Sequence, residues 1–93
     1  MPIEVEHDEV NQRFVAPIEG EFALVEYTRP DARTIDIHRS FVPPAGRGKG
    51  LAGTLVRAAL DYAVAQGLGV IPTCPYVAGY IDKHEEYGPL VHA

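Results

Sequence analysis

The run Val42-Pro43-Pro44-Ala45-Gly46-Arg47-Gly48-Lys49-Gly50-Leu51-Ala52 constrains this chain more than any other stretch, because the backbone's period changes across it. Before it, residues are β-branched, aromatic or alternating; after it, apolar positions recur at helical spacing. A basic, glycine-dense loop between a strand and a helix suits an anion. Glycines let the backbone approach closely and take positive φ, the helix N-terminus offers N–H donors at its positive dipole end, and Arg47 and Lys49 add charge. A flexible turn with solvated basic side chains is the plainer reading of the same residues.

The flanking segments set the architecture. Val10–Ala16, Glu21–Arg29 and Thr34–Val42 read as three antiparallel strands, with Phe22, Leu24 and Glu26 alternating against Ala23, Val25 and Tyr27. Glu19-Gly20 and Arg29-Pro30-Asp31-Ala32 separate them; in the second turn Pro30 presets φ and Asp31 can bond the local backbone. From Leu51 a helix is expected, its apolar stripe Ala52, Leu55, Val56, Ala59, Leu60 and Ala63, and Gly67 falls where a C-terminal cap belongs. Gly69–Thr73 reads as a short strand and Pro75–Lys83 as a second helix begun by proline. The residues from Glu85 to Ala93 carry no clear pattern. The predicted class is a mixed α/β sheet: a three-strand antiparallel meander, a β-α-β unit and a C-terminal helix, in one domain spanning 1–93. In the β-α-β unit both strands run the same way, so the glycine loop and Thr73-Cys74-Pro75 should share the carboxyl edge of the sheet, where open α/β sheets bind ligands.

Three phosphate motifs compete for the loop. The P-loop requires Gly-Lys followed by Ser or Thr, and here Lys49 precedes Gly50. Gly48-x-Gly50-x-x-Gly53 fits a dinucleotide fingerprint, but that motif follows the first strand of a βαβ unit and expects an acidic residue about 20 positions on, where this chain has Thr73. The third pattern, Arg47-x-x-Gly50-x-Ala52, resembles the pyrophosphate-gripping loop of the GNAT superfamily of N-acetyltransferases.

Composition narrows the classes. The 93 residues are 46% apolar and carry a net charge of −5, which disfavours general nucleic-acid binding even though Arg39, Arg47, Lys49 and Arg57 form a local basic island. A single cysteine with scattered His7, His38, His84 and His92 shows no zinc spacing, so no metal is expected. No apolar run approaches a membrane span and the first residues are acidic, so neither a membrane segment nor a signal peptide is expected and a cytoplasmic location is the default.

Cys74 admits two readings. Free cysteine is commonly a small buried apolar residue. At the N-cap of a helix started by Pro75, however, a thiol feels a dipole that favours its thiolate.

The combination of His38 ahead of Val42-Pro43, Arg47-Gly-x-Gly50-Leu51-Ala52, Ala59-Leu60-Asp61-Tyr62-Ala63, Ile71-Pro72-Thr73-Cys74-Pro75-Tyr76-Val77 and Ile81-x-Lys83-His84-x-Glu86-Tyr87 resembles the minimal single-domain GNAT-like acetyltransferases, over about Arg13 to Tyr87. The resemblance implies acetyl-CoA held between two splaying parallel strands, Arg47, Gly48, Lys49, Gly50, Leu51 and Ala52 as the pyrophosphate loop, Val42 as a backbone contact to the pantetheine arm, and Cys74 as the catalytic residue. It also implies an amine acceptor. The chain departs from the family at His38-Arg39, where His-Thr is usual, and at Lys83-His84-Glu85-Glu86-Tyr87, where a proline follows the histidine. Larger GNAT domains place two helices between their first strands; Ile18 to Glu21 leaves no room for them, so the acceptor site should be shallow and open. A tyrosine on the last helix commonly protonates the departing thiolate in the superfamily, with Tyr76 and Tyr80 both candidates here. His38 is a candidate base or a structural histidine, and Lys83 and His84 are candidates for the adenine-ribose end or solvated helix-end cations. The expected function is acetyl transfer from acetyl-CoA to an amine, by attack of Cys74 on the thioester or by direct attack of the amine assisted by Cys74. The alternative is a CoA-binding or protein-interaction module without turnover.

Overall fold

The computed structural model describes residues 4–91, and His92 lies outside them. Five strands form one sheet in chain order: β1 (Glu6–Asp8), β2 (Arg13–Ile18), β3 (Glu21–Asp31), β4 (Thr34–Phe41) and β5 (Gly69–Ile71). The first four pair antiparallel and β5 joins β4 in parallel, Thr34 opposite Gly69 and Ile35 opposite Val70. Helix α1 (Leu51–Gln66) makes the crossover between them, and α2 (Pro75–Lys83) follows β5.

The expected mixed α/β architecture is present, with a correction at its start. The meander has four strands instead of three, and the strand placed at Val10–Ala16 runs from Arg13 to Ile18, because residues 9–12 form a turn that leaves Val10 92% exposed. The added β1 reads as polar sequence because Glu6 and Asp8 face outward, as befits a short edge strand that must resist further pairing. Its inward residue, His7, stacks on Phe14 with ring centroids 4.0 Å apart and hydrogen-bonds through Nε2 to the Tyr27 hydroxyl at 2.6 Å. β5 ends at Ile71, two residues short of the expected Thr73. Glu85–Leu90, which showed no pattern, is a 3₁₀ segment anchored by buried Tyr87.

Turn chemistry explains the connections. Glu19 and Gly20 both take positive φ (47° and 81°), the two-residue hairpin turn whose twist matches its strands, and Asp31 Oδ1 accepts the Arg33 N–H at 2.8 Å. Gly67 closes α1 at φ 67°, and the N–H of Leu68 reaches back to the Ala63 carbonyl at 2.8 Å. The core lies on one face of the sheet. Phe14, Ala16, Ala23, Val25, Tyr27, Ile35 and Ile37 pack beneath Leu51, Leu55, Val56, Ala59, Leu60 and Ala63 of α1, joined by Val77 and Ile81 of α2.

One irregularity shapes the working edge. Glu26 pairs with Arg39 but Tyr27 pairs with Ile37, so His38 is an extra residue in β4, a β-bulge. Bulges bend a strand and reverse which side chains face inward. Pairing of β4 with β5 ends at Asp36 and Ile71, while β4 remains paired with β3 as far as Phe41.

Candidate functional site

The loop after β4 is built around three glycines with different tasks. Gly46, in a short 3₁₀ turn (Pro44–Gly46), is buried, and a Cβ there would stand 2.5 Å from Leu51 Cδ1 and 3.1 Å from Val42 Cγ1; only glycine packs without displacing them. Gly48 and Gly50 take φ of 79° and 74°, conformations that an L side chain resists. A Cβ at either would meet nothing within 4 Å, so the backbone there faces open space. Gly50 is the N-cap of α1 and offers no side chain to cap the first turn, whose leading N–H groups have no intrahelical acceptor.

These residues enclose a cavity of about 230 Å³ lined by Val42, Gly46, Arg47, Gly48, Gly50, Leu51, Ala52 and Tyr76. Its size and donors suit a diphosphate. Of the residues expected in the anion loop, Lys49 is exposed and does not line this space. Arg47 does, with its Nε donating to the Val42 carbonyl at 3.2 Å. Val42 is the residue expected to make a backbone contact to a pantetheine arm.

Cys74 is the N-cap of α2 and 7% exposed. Its N–H donates to the Ile37 carbonyl at 2.9 Å, which ties the start of α2 to β4 just before the bulge. Its Sγ lies 3.5 Å from Ser40 Oγ. Burial pushes the thiol's pKa up, but the Ser40 hydroxyl and the N–H groups of Val77 and Tyr76 outweigh it, and the pKa is lowered from its ordinary value. The glycine loop and the cysteine thus share one sheet edge, as the β-α-β order predicts. Cys74 itself does not line the loop cavity.

The two tyrosines separate. Tyr76, 45% exposed, lines the loop cavity, whereas Tyr80 stacks on His84 with centroids 3.9 Å apart. A second hollow, about 300 Å³, continues from Tyr76 past Gly79 and Tyr80 to Lys83 and His84, whose Nδ1 donates to the Tyr80 carbonyl at 2.8 Å. His38 is exposed on the bulge. Ser40 escaped the sequence reading because strict alternation from Ile35 and Ile37 turns Ser40 outward; the bulge turns it inward. Among the described residues no group of three or more His, Cys, Asp or Glu is placed to hold a metal, and no helix is long and apolar enough to cross a membrane.

The mixed sheet with a glycine loop at its edge has relatives among known proteins. The model of the GCN5-related N-acetyl-transferase family matches residues 13–90, so the chain belongs to that family. Protein NATD1 of Gallus gallus is 35% identical over 85 residues, 89% of this chain and 77% of that protein, and Protein NATD1 of Homo sapiens is 35% identical over 85 residues, 89% of this chain and 75% of that protein. The solution structure of a GCN5-like protein from Staphylococcus aureus shares the fold, with a TM-score of 0.71 at 20% identity over 97% of this chain and 88% of the other.

Proposed function

We propose that this protein transfers an acetyl group from acetyl-CoA to an amine, with Cys74 acting at the thioester. The observation that carries the reading is the shared sheet edge: positive-φ Gly48 and Gly50 open onto a cavity beside Arg47 while the Ser40–Cys74 pair lies past the end of the β4–β5 ladder. The backbone of Gly48 to Ala52 and the Arg47 guanidinium would hold the pyrophosphate, with Lys49 adding charge from outside. Arg47 Nε holds the Val42 carbonyl, and turning its guanidinium toward an anion would free that carbonyl for an amide N–H of the pantetheine arm. Bound acetyl-CoA supplies an activated thioester. Cys74, with its pKa lowered, serves as nucleophile toward that carbonyl or as base toward the incoming amine. Tyr76, on the loop cavity, is better placed than Tyr80 to hand a proton to the departing thiolate. The chain's net charge of −5 favours a cationic amine such as a lysine side chain, a polyamine or a protein N-terminus.

Mass spectrometry of the purified protein with acetyl-CoA, with and without candidate amines, tests this. Acetylated amine together with free CoA supports transfer, and a one-acetyl mass gain on Cys74 before amine is added selects the covalent route. A second reading, CoA binding without turnover, rests on Cys74 being 7% exposed and outside the cavity lining; bound CoA with no acetylated product from any amine would establish it.

A further inference from the structure

The helices cover one face of the sheet, and the register gives the opposite face an ordered pattern. One row across four strands reads Asp8, Arg13, Glu26, Arg39, each residue directly opposite the next, with charges alternating. The next row reads Glu6, Val15, Leu24, Phe41, and a third pairs Pro17 with Phe22. Phe22 and Phe41 are 58% and 39% exposed, and Asp8, Arg13, Val15, Phe22 and Leu24 line a hollow of about 270 Å³. Within the chain the row is only partly satisfied. Arg39 meets Glu26 at 2.8 Å, but Arg13 Nε is 3.7 Å from Asp8 and lacks a hydrogen-bond partner among the described residues.

We propose that this face binds a second copy of the chain, about a two-fold axis lying along the seam between β2 and β3. Such an axis exchanges β2 with β3 and β1 with β4 across the contact. Arg13 then faces Glu26 of the second copy, Asp8 faces Arg39, Val15 faces Leu24 and Pro17 faces Phe22. The four charges of the first row each meet an opposite and Val15, Leu24, Pro17 and Phe22 meet one another, while Glu6, at the edge, falls opposite Phe41. Other two-folds fail this test. An axis along the charged row sets each residue against itself, like charge on like. An axis centred on β2 sets Arg13 against Arg13 and Asp8 against Glu26, and seams nearer the sheet's edges match fewer residues. The pattern is that of an isologous contact, in which one patch must be its own complement.

The face is small. Strands about 4.8 Å apart and same-side residues about 6.7 Å apart give roughly 400 Å² per copy, which places the dimer among weak, concentration-dependent complexes. Because the Ser40–Cys74 pair and the glycine loop lie on the helix side, the dimer leaves them free.

Sedimentation equilibrium from roughly 20 μM to 1 mM, the range set by a weak affinity, tests the inference, with a reductant present so that Cys74 cannot cross-link. The mass should climb from one chain toward two. Glu26→Arg and Arg13→Glu should each weaken self-association tenfold or more, since each sets like charges together twice at the axis. Mixing the two variants should restore association as a heterodimer. The arginine introduced at position 26 of one copy then faces the glutamate introduced at position 13 of the other, and the unaltered Arg13 of the first faces the unaltered Glu26 of the second. Phe22→Asp, at an exposed position the fold does not need, should weaken association likewise. A wild type that stays at one chain's mass throughout, a dimer indifferent to Glu26→Arg in a folded variant, or a mixture that remains monomeric would overturn the assignment.

Discussion

Ser40 Oγ and Cys74 Sγ meet at 3.5 Å because β4 carries one extra residue, His38, which reverses the strand's inward side just where α2 begins. A hydroxyl beside a thiol favours the thiolate, so Ser40→Ala should raise the Cys74 pKa and slow its reaction with iodoacetamide near neutral pH. Loss of one weak hydrogen bond of about 0.5–1.5 kcal/mol corresponds to roughly twofold to tenfold in thiolate fraction. A pH profile of alkylation reads this without depending on acetyl transfer. An unchanged profile would show the contact to be packing alone.

Removing the anion's charged partner should weaken the cofactor. Arg47→Ala is expected to reduce affinity for CoA by about 1.5–3 kcal/mol, as for a hydrogen bond to a charged group, or tenfold to over a hundredfold by calorimetry. Gly50→Val acts differently. A Cβ there meets no atom, so the cost comes from φ 74°, with the side chain also projecting into the open space an anion would use. Binding should be lost in a variant that still folds.

Cys74→Ser separates chemistry from packing. Serine nearly keeps the volume and caps a helix at least as well. If the thiol reacts, folding and CoA binding persist while acetyl transfer falls about a hundredfold or more, since a hydroxyl is far less ionised than a thiol at neutral pH. Full activity in the serine variant would remove Cys74 from the reaction and leave the anion site standing.

The edge strand should respond to acid. Burial lowers the His7 pKa below its ordinary 6.5, against smaller raising effects of Glu9 and Asp8. The unfolded chain therefore binds the proton more readily, and the stability that neutral His7 contributes is lost as pH falls from about 6.5 through the lowered value. Protection of the β1 and β2 amides, taken relative to the intrinsic exchange rate at each pH, should fall below pH 6, and His7→Phe, which keeps the stack on Phe14, should abolish that loss.

At the other extreme, Tyr87 donates to Asp61 Oδ1 at 2.6 Å, and that bond, with burial, lifts its pKa to about 12. A tyrosine held protonated stabilises the fold below its unfolded pKa of about 10, and the contribution disappears as pH rises through about 12. Tyr87→Phe should cost about 1 kcal/mol at neutral pH, the modest figure reflecting Asp61's exposure, and should flatten the alkaline limb of thermal unfolding.

Period and punctuation in the sequence determined most of the scaffold. Alternation at Phe22–Tyr27, the helical stripe from Leu55 to Ala63, and Gly67 and Pro75 at the helix ends act over a few residues, where local sterics and burial decide. They suffice to bring Gly46–Ala52 and Cys74 to one sheet edge, because chain order and parallel pairing leave no other arrangement. What tertiary structure alone decided depends on partners distant in the chain. β1 exists because His7 finds Phe14 and Tyr27, and Tyr87 orders the segment after α2 by reaching Asp61. The bulge at His38 is a mismatch of count between β3 and β4, which neither strand reveals by itself. That single extra residue sends Ser40 to Cys74 and Arg39 and Phe41 to the open face, since in a strand a shift of one reverses every side chain beyond it.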